Sequence, residues 1–179
     1  MKYSFQCCLW FILLIAISWF AFSDPIYAQS DGSAARVKFF WVNLGIGPSS
    51  VGEDGGAFSL SGTYQFGKNT LSFRVLSTGE IFGKSLNEYG LLYGRTLKSS
   101  SILISAGAGL AMVEGRISHG ILSSKELDNI EPTIGMPVEV QLFWRPASVI
   151  GIGLYGFANL NPEESFYGCT LSLQIGKLR

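Results

Sequence analysis

Between residues 57 and 66 the chain alternates strictly. Phe58, Leu60, Gly62, Tyr64 and Phe66 fall on one side of an extended strand, and Ser59, Ser61, Thr63 and Gln65 on the other. The segment 167–175 repeats the pattern, with Tyr167, Cys169, Leu171, Leu173 and Ile175 opposed to Gly168, Thr170, Ser172 and Gln174. One face is apolar and the other small and polar, and each run is close to the roughly 9 to 11 residues with which a tilted strand crosses a bilayer. Six further runs, 36–46, 70–77, 86–96, 101–114, 134–145 and 148–158, are rich in β-branched, aromatic or glycine residues. With the two clean runs they predict an all-β chain of about eight antiparallel strands.

The connections add a second, independent signal. They are long at 47–56, 78–85 and 115–133, short at 67–69, 97–100 and 146–147, and middling at 159–165. Short turns alternating with longer loops predict an up-and-down barrel with both termini and the short turns at one end, the periplasmic one.

The N-terminus reads as an export signal over 1–28: Lys2 supplies the basic start, residues 9–22 the apolar stretch, and Ile26-Tyr27-Ala28 a small residue at the cut before Gln29. The barrel domain is then 29–179. The apolar stretch is shorter than the roughly 20 residues of a spanning helix, and Asp24-Pro25 follows it at once. Neither Cys7 nor Cys8 sits after it, where a lipidation site would be. With 1–28 removed, Cys169 is left alone, which leaves no internal disulfide and no thiolate metal site. No later segment is long and apolar enough for a spanning helix, so a membrane form has to cross as strands.

Composition sharpens this picture. Charged residues make up 15% of the chain, below the usual quarter, and the 22 glycines exceed average usage. Formal net charge is zero with no cationic run or stripe, which argues against nucleic acid as a partner. The phase of the strands turns Ser72, Arg74, Glu88, Glu139, Gln141, Thr170 and Gln174 inward. Arg74, Glu88 and Glu139 are expected to form a lumenal ion-pair network that plugs the barrel, since a basic side chain facing mid-membrane lipid costs about 2 to 4 kcal/mol. Tyr64, Phe66, Tyr93, Trp144, Tyr155 and Tyr167 lie towards strand ends and are expected to form interfacial girdles.

The export signal, the alternating strands at 57–66 and 167–175, the turn-and-loop rhythm and a last strand running to the C-terminus resemble the small eight-stranded outer-membrane barrels of the OmpA and OmpX type. The likeness spans the mature chain and is architectural, resting on no fingerprint motif. It implies a Gram-negative outer-membrane location, insertion by the barrel-assembly machinery, contact with outer-membrane lipids and lipopolysaccharide, and no cofactor. Many members end on an aromatic residue, whereas this chain ends Gly176-Lys177-Leu178-Arg179.

Candidate chemistry is sparse. His119, the only histidine, stands in the longest loop beside Ser118, with Ser123 and Ser124 beyond. Lipid A deacylases, barrels of similar scale, carry their His and Ser two apart on a strand, a spacing not met here. The stretch 45–52 is glycine-rich but has Glu53 where a phosphate loop needs lysine, and reads as a surface loop. Glu53, Asp54, Glu126, Asp128 and Glu131 gather in two loops without a calcium-loop spacing, so no metal site is assigned. The expectation is a non-enzymatic surface barrel whose loops at 47–56 and 115–133 serve structural, adhesive or protective contacts. Two other classes compete with it. An outer-leaflet lipid-modifying enzyme needs His119 to meet a serine and an acid, and a soluble periplasmic ligand-binding barrel needs an apolar interior.

Overall fold

In the computed structural model, residues 38–80, 83–99, 101–117 and 128–178 are described. The expected export signal, and Ser118, His119, Ser123, Ser124 and Glu126, lie outside them. The alternating segments form β1 (Lys38–Pro48), β2 (Gly56–Phe66), β3 (Asn69–Gly79), β4 (Lys84–Lys98), β5 (Ile102–Ile117), β6 (Asp128–Trp144), β7 (Ile150–Leu160) and β8 (Phe166–Lys177). Each strand pairs antiparallel with its successor, and β8 returns to β1, so the sheet closes on itself.

Followed around the ladders, Lys38 leads through Phe66, Asn69, Arg95, Ala106, Val140 and Gly156 to Cys169. The β8–β1 register places Cys169 opposite Pro48, a shear of ten residues. Strands in such a barrel tilt by about 35 to 45°, and eight of them enclose a space just wide enough for side chains.

Side-chain parity separates the two faces. At mid-height Phe73, Leu91 and Leu110 point outward and are 54%, 56% and 70% exposed, while Arg74, Glu88 and Gln141 point inward and are fully buried. The polarity of an ordinary soluble domain is thus inverted, which is the distribution expected of a barrel surrounded by hydrocarbon.

The strands run further than their apolar alternation. β3 continues to Gly79 and β4 starts at Lys84, so the long connection expected at 78–85 shrinks to residues 80–83. β5 and β6 pair out to Ile117 and Asp128, reducing 115–133 to residues 118–127. In the other direction, the turn expected at 146–147 widens to residues 145–149. The reason is that ladder hydrogen bonds need only backbone, so pairing persists where side chains no longer signal a buried face. β1 likewise absorbs Gly45 to Pro48, so half of the glycine-rich stretch read as a loop is strand. Gly45 is needed there: a Cβ would run into the hydroxyls of Ser172, Thr170 and Ser59 inside the barrel.

Two local devices shape the hairpins. Gly67 opens the two-residue turn between β2 and β3 with φ 67°, the left-handed conformation that a tight primed turn requires. β6 carries Pro132 and Pro137, which cannot donate to a ladder. Pro132 falls where the β5–β6 register slips between Val113 and Gly115, and Pro137 where that ladder skips from Val138 to Gly135. The β6–β7 ladder begins only at Met136 opposite Leu160, so the β5–β6 hairpin extends past β7.

Candidate functional site: the filled lumen

The lumen is packed in three layers. At the end where β1 begins and β8 finishes, Trp41, Leu103, Phe143 and Leu178 form a buried apolar floor with Phe39 against it. At the loop end Val51, Ala57, Leu76, Leu86, Val113, Tyr155, Phe157 and Phe166 form an apolar ceiling. Polar side chains from every strand fill the space between.

The middle layer is organised around Arg74 on β3. Its Nε donates to Glu88 Oε1 at 2.7 Å, and its Nη2 stands 2.5 Å from the same oxygen. Nη1 donates to Tyr155 Oη at 3.3 Å and to the Val138 carbonyl at 3.4 Å, and lies 4.0 Å from Glu139 Oε2. The Tyr155 hydroxyl donates to Glu139 Oε2 at 2.5 Å, bridging guanidinium and carboxylate. Asn159 Nδ2 donates to the free side of Glu88 at 2.9 Å, and Gln141 Nε2 to Glu139 Oε1 at 3.0 Å. Gln141 in turn accepts from Asn43, which also donates to Ser61. Both carboxylates therefore have each oxygen engaged, the condition under which buried charge is tolerated.

Smaller clusters complete the layer: Thr63 with Ser72, and Ser59, Thr170 and Ser172 together. Lower down, Arg145 Nε donates to Gln174 Oε1 at 2.7 Å and Nη1 to the Leu178 carbonyl at 3.2 Å, with the guanidinium 4.9 Å from the Trp41 ring. This ties the polar layer to the apolar floor.

The three expected network residues, Arg74, Glu88 and Glu139, are brought together, and Ser72, Gln141, Thr170 and Gln174 face inward with them. Tyr155 corrects the sequence reading. Expected in an interfacial girdle, it is 1% exposed inside the lumen. The signal was parity: Ile150, Ile152 and Leu154 mark the outward set of β7, which leaves Tyr155 on the inward one. Arg145 and Asn159 were missed in the same way, although each shares parity with an inward neighbour, Phe143 and Phe157. Removing only the bridging hydroxyl tests the network. Tyr155→Phe leaves a buried acceptor unmatched and is expected to lower unfolding stability by about 1 to 3 kcal/mol, read from the urea midpoint of the refolded barrel.

Outside the barrel wall, Tyr64, Phe66 and Tyr93 adjoin one another with ring centroids 6.1 and 6.4 Å apart, and Trp144 is 58% exposed. At the loop end the backbone N–H of Glu53 donates to Glu80 at 2.5 Å, and Lys84 pairs with Glu164. Among the described residues no three His, Cys, Asp or Glu side chains are grouped to hold a metal ion.

No protein-family model matches the sequence, and no curated protein does. Solved structures do match in shape. The N-terminal β-barrel domain of Pseudomonas aeruginosa OprF superposes with a TM-score of 0.60 at 10% identity, over 79% of this chain and 98% of that one. Neisserial surface protein A gives 0.58 at 11% identity, over 79% and 97%. Ail, the attachment invasion locus protein of Yersinia pestis, gives 0.55 at 10% identity, over 78% and 96%. At such identities the likeness speaks to architecture, and the chain has the fold of the eight-stranded outer-membrane β-barrels.

Proposed function

We propose that this protein is a non-enzymatic barrel of the Gram-negative outer membrane, closed to solutes, that works through its outer surface and loop end. The observation that carries the proposal is the inverted polarity: Phe73, Leu91 and Leu110 face out while Arg74, Glu88 and Glu139 are buried within. Water would reverse that arrangement, and hydrocarbon demands it.

The packed lumen argues for a stabilising plug. Every charged group of its middle layer is matched by another side chain, and apolar layers seal it above and below. Contacts then fall to the outside: lipid and lipopolysaccharide along the wall, and surface partners at the β5–β6 hairpin, which reaches past its neighbour. A structural, adhesive or protective role suits such a surface, and insertion requires the barrel-assembly machinery.

Fractionation with a heat-modifiability gel tests the proposal. Material from the outer-membrane fraction is expected to migrate differently before and after boiling, and protease added to whole cells to cut within residues 118–127. A soluble periplasmic protein with no mobility change would refute it.

A further inference from the structure

Charge is segregated along the barrel axis. At the end where β1 begins and β8 finishes stand Lys38, Lys68, Arg95, Lys98 and Lys177, and among the described residues no aspartate or glutamate accompanies them. Glu53, Asp54, Glu80, Glu131, Glu163 and Glu164 gather at the opposite end, where Lys84 and Arg116 are outnumbered. Formal neutrality of the whole chain conceals this axis.

The cations are also placed by register. Lys38, Phe66, Asn69 and Arg95 occupy one hydrogen-bonded row across β1 to β4, with Lys68 in the turn between Phe66 and Asn69. In the row above, Lys177 lies beside Phe40, which lies beside Tyr64. Lys38 and Arg95 have outward parity, in line with exposed Phe40 and Tyr93 one step nearer mid-barrel. Tyr64, Phe66 and Tyr93 form a continuous aromatic patch that these cations flank. Lys98, whose Nζ stands 3.4 Å from the Phe39 ring centroid, brings further positive charge to the same rim.

Going outward from mid-barrel, the lipid-facing set runs Leu44, Val42, Phe40, Lys38 on β1 and Leu91, Tyr93, Arg95 on β4: aliphatic side chains, then rings, then Lys and Arg. Acyl chain, glycerol region and phosphate follow one another in the same order in a phospholipid leaflet. We propose that the patch formed by Lys38, Lys68, Arg95, Tyr64, Phe66 and Tyr93 is a docking surface for the headgroup of an anionic phospholipid, in the leaflet on the side where β1 begins and β8 finishes. The occupant is a lipid because the cations continue the exposed apolar wall of Phe40, Tyr64 and Tyr93. It is anionic because three cations converge there and, among the described residues, no aspartate or glutamate stands at that rim to neutralise them. The acidic opposite rim disfavours the same lipid, so the surface also distinguishes one leaflet from the other.

This inference rests on the outer-membrane proposal above, and the test separates the two. The barrel is refolded into vesicles of phosphatidylcholine containing a trace of spin-labelled phosphatidylglycerol or spin-labelled phosphatidylcholine, and the motionally restricted fraction is compared. Native protein is expected to select phosphatidylglycerol by about threefold or more, given the attraction of each cation near an anionic surface. The selection should fade near 1 M salt, where the screening length is about 3 Å. Lys38→Gln with Lys68→Gln and Arg95→Gln should bring the ratio to about one, while Lys84→Gln, at the far rim, should leave it at the native value. Equal association of both lipids with a heat-modifiable native barrel overturns the inference, as does a triple variant that still selects or a Lys84→Gln variant that stops selecting. A chain that shows no heat-modifiable form in either vesicle overturns the outer-membrane proposal instead.

Discussion

Arg74→Ala is expected to cost about 3 to 5 kcal/mol of unfolding free energy, because it leaves Glu88 and Glu139 buried without the cation that they share. Glu88 would lose its 2.5 Å partner, and Glu139 would keep only the Tyr155 and Gln141 donors. The measurement is the urea midpoint of the barrel refolded in vesicles, followed by the gel mobility of unboiled samples. Replacing all three charges at once, with Arg74→Met, Glu88→Leu and Glu139→Gln, should recover most of the loss, since buried ion sets exchanged for packed neutral groups are often close to neutral in stability. An Arg74→Ala midpoint equal to that of the native protein would mean that the network contributes nothing to holding the barrel together.

The second large effect concerns the wall. Leu91 sits near the middle of β4 with Phe73 and Leu110 as register neighbours, so Leu91→Arg would put a guanidinium at mid-membrane depth. A loss of about 2 to 4 kcal/mol is expected there, against only about 0 to 1 kcal/mol for Ile102→Arg near the turn end. Both residues are exposed to a similar extent, 56% and 47%, so exposure alone predicts equal costs. The difference between the two variants, measured in the same vesicles, reports depth in hydrocarbon. Two equal and negligible costs would contradict a membrane-embedded wall.

Much of this architecture was legible in the sequence because a barrel wall imposes a period of two on long stretches. The segments 57–66 and 167–175 gave strand, phase and face together. Arg74, Glu88 and Glu139 could be assigned inward because a charge at mid-strand has nowhere else to go. The ends of the lumen were harder. Trp41, Leu76, Leu86, Phe143, Phe157 and Phe166 are apolar yet point inward, against the simple expectation of apolar out and polar in. A narrow barrel must be filled to its rims, and away from the central charges bulk serves as well as polarity. Tyr155 was misplaced for a related reason: a ring near a strand end satisfies the description of a girdle, and only the parity of its own strand tells which side it takes. Long-range charge segregation was invisible too, since the cations are scattered through the sequence and meet only at one rim.

The junction between β1 and β8 differs from the other seven. Its continuous ladder runs only from Phe40 to Ile46, seven pairs, whereas β2 and β3 share eleven. Every other junction grows from a hairpin, and this one must bring together residues as distant as Phe40 and Lys177. Hairpins can zip from their turns at little entropic cost, but the final ladder has no turn to start from. Until it forms, the chain is an open sheet with two naked edges, able to capture another strand as readily as its own. The rate of reaching the native state, and the window in which the protein is prone to aggregate, are therefore set at this one short seam.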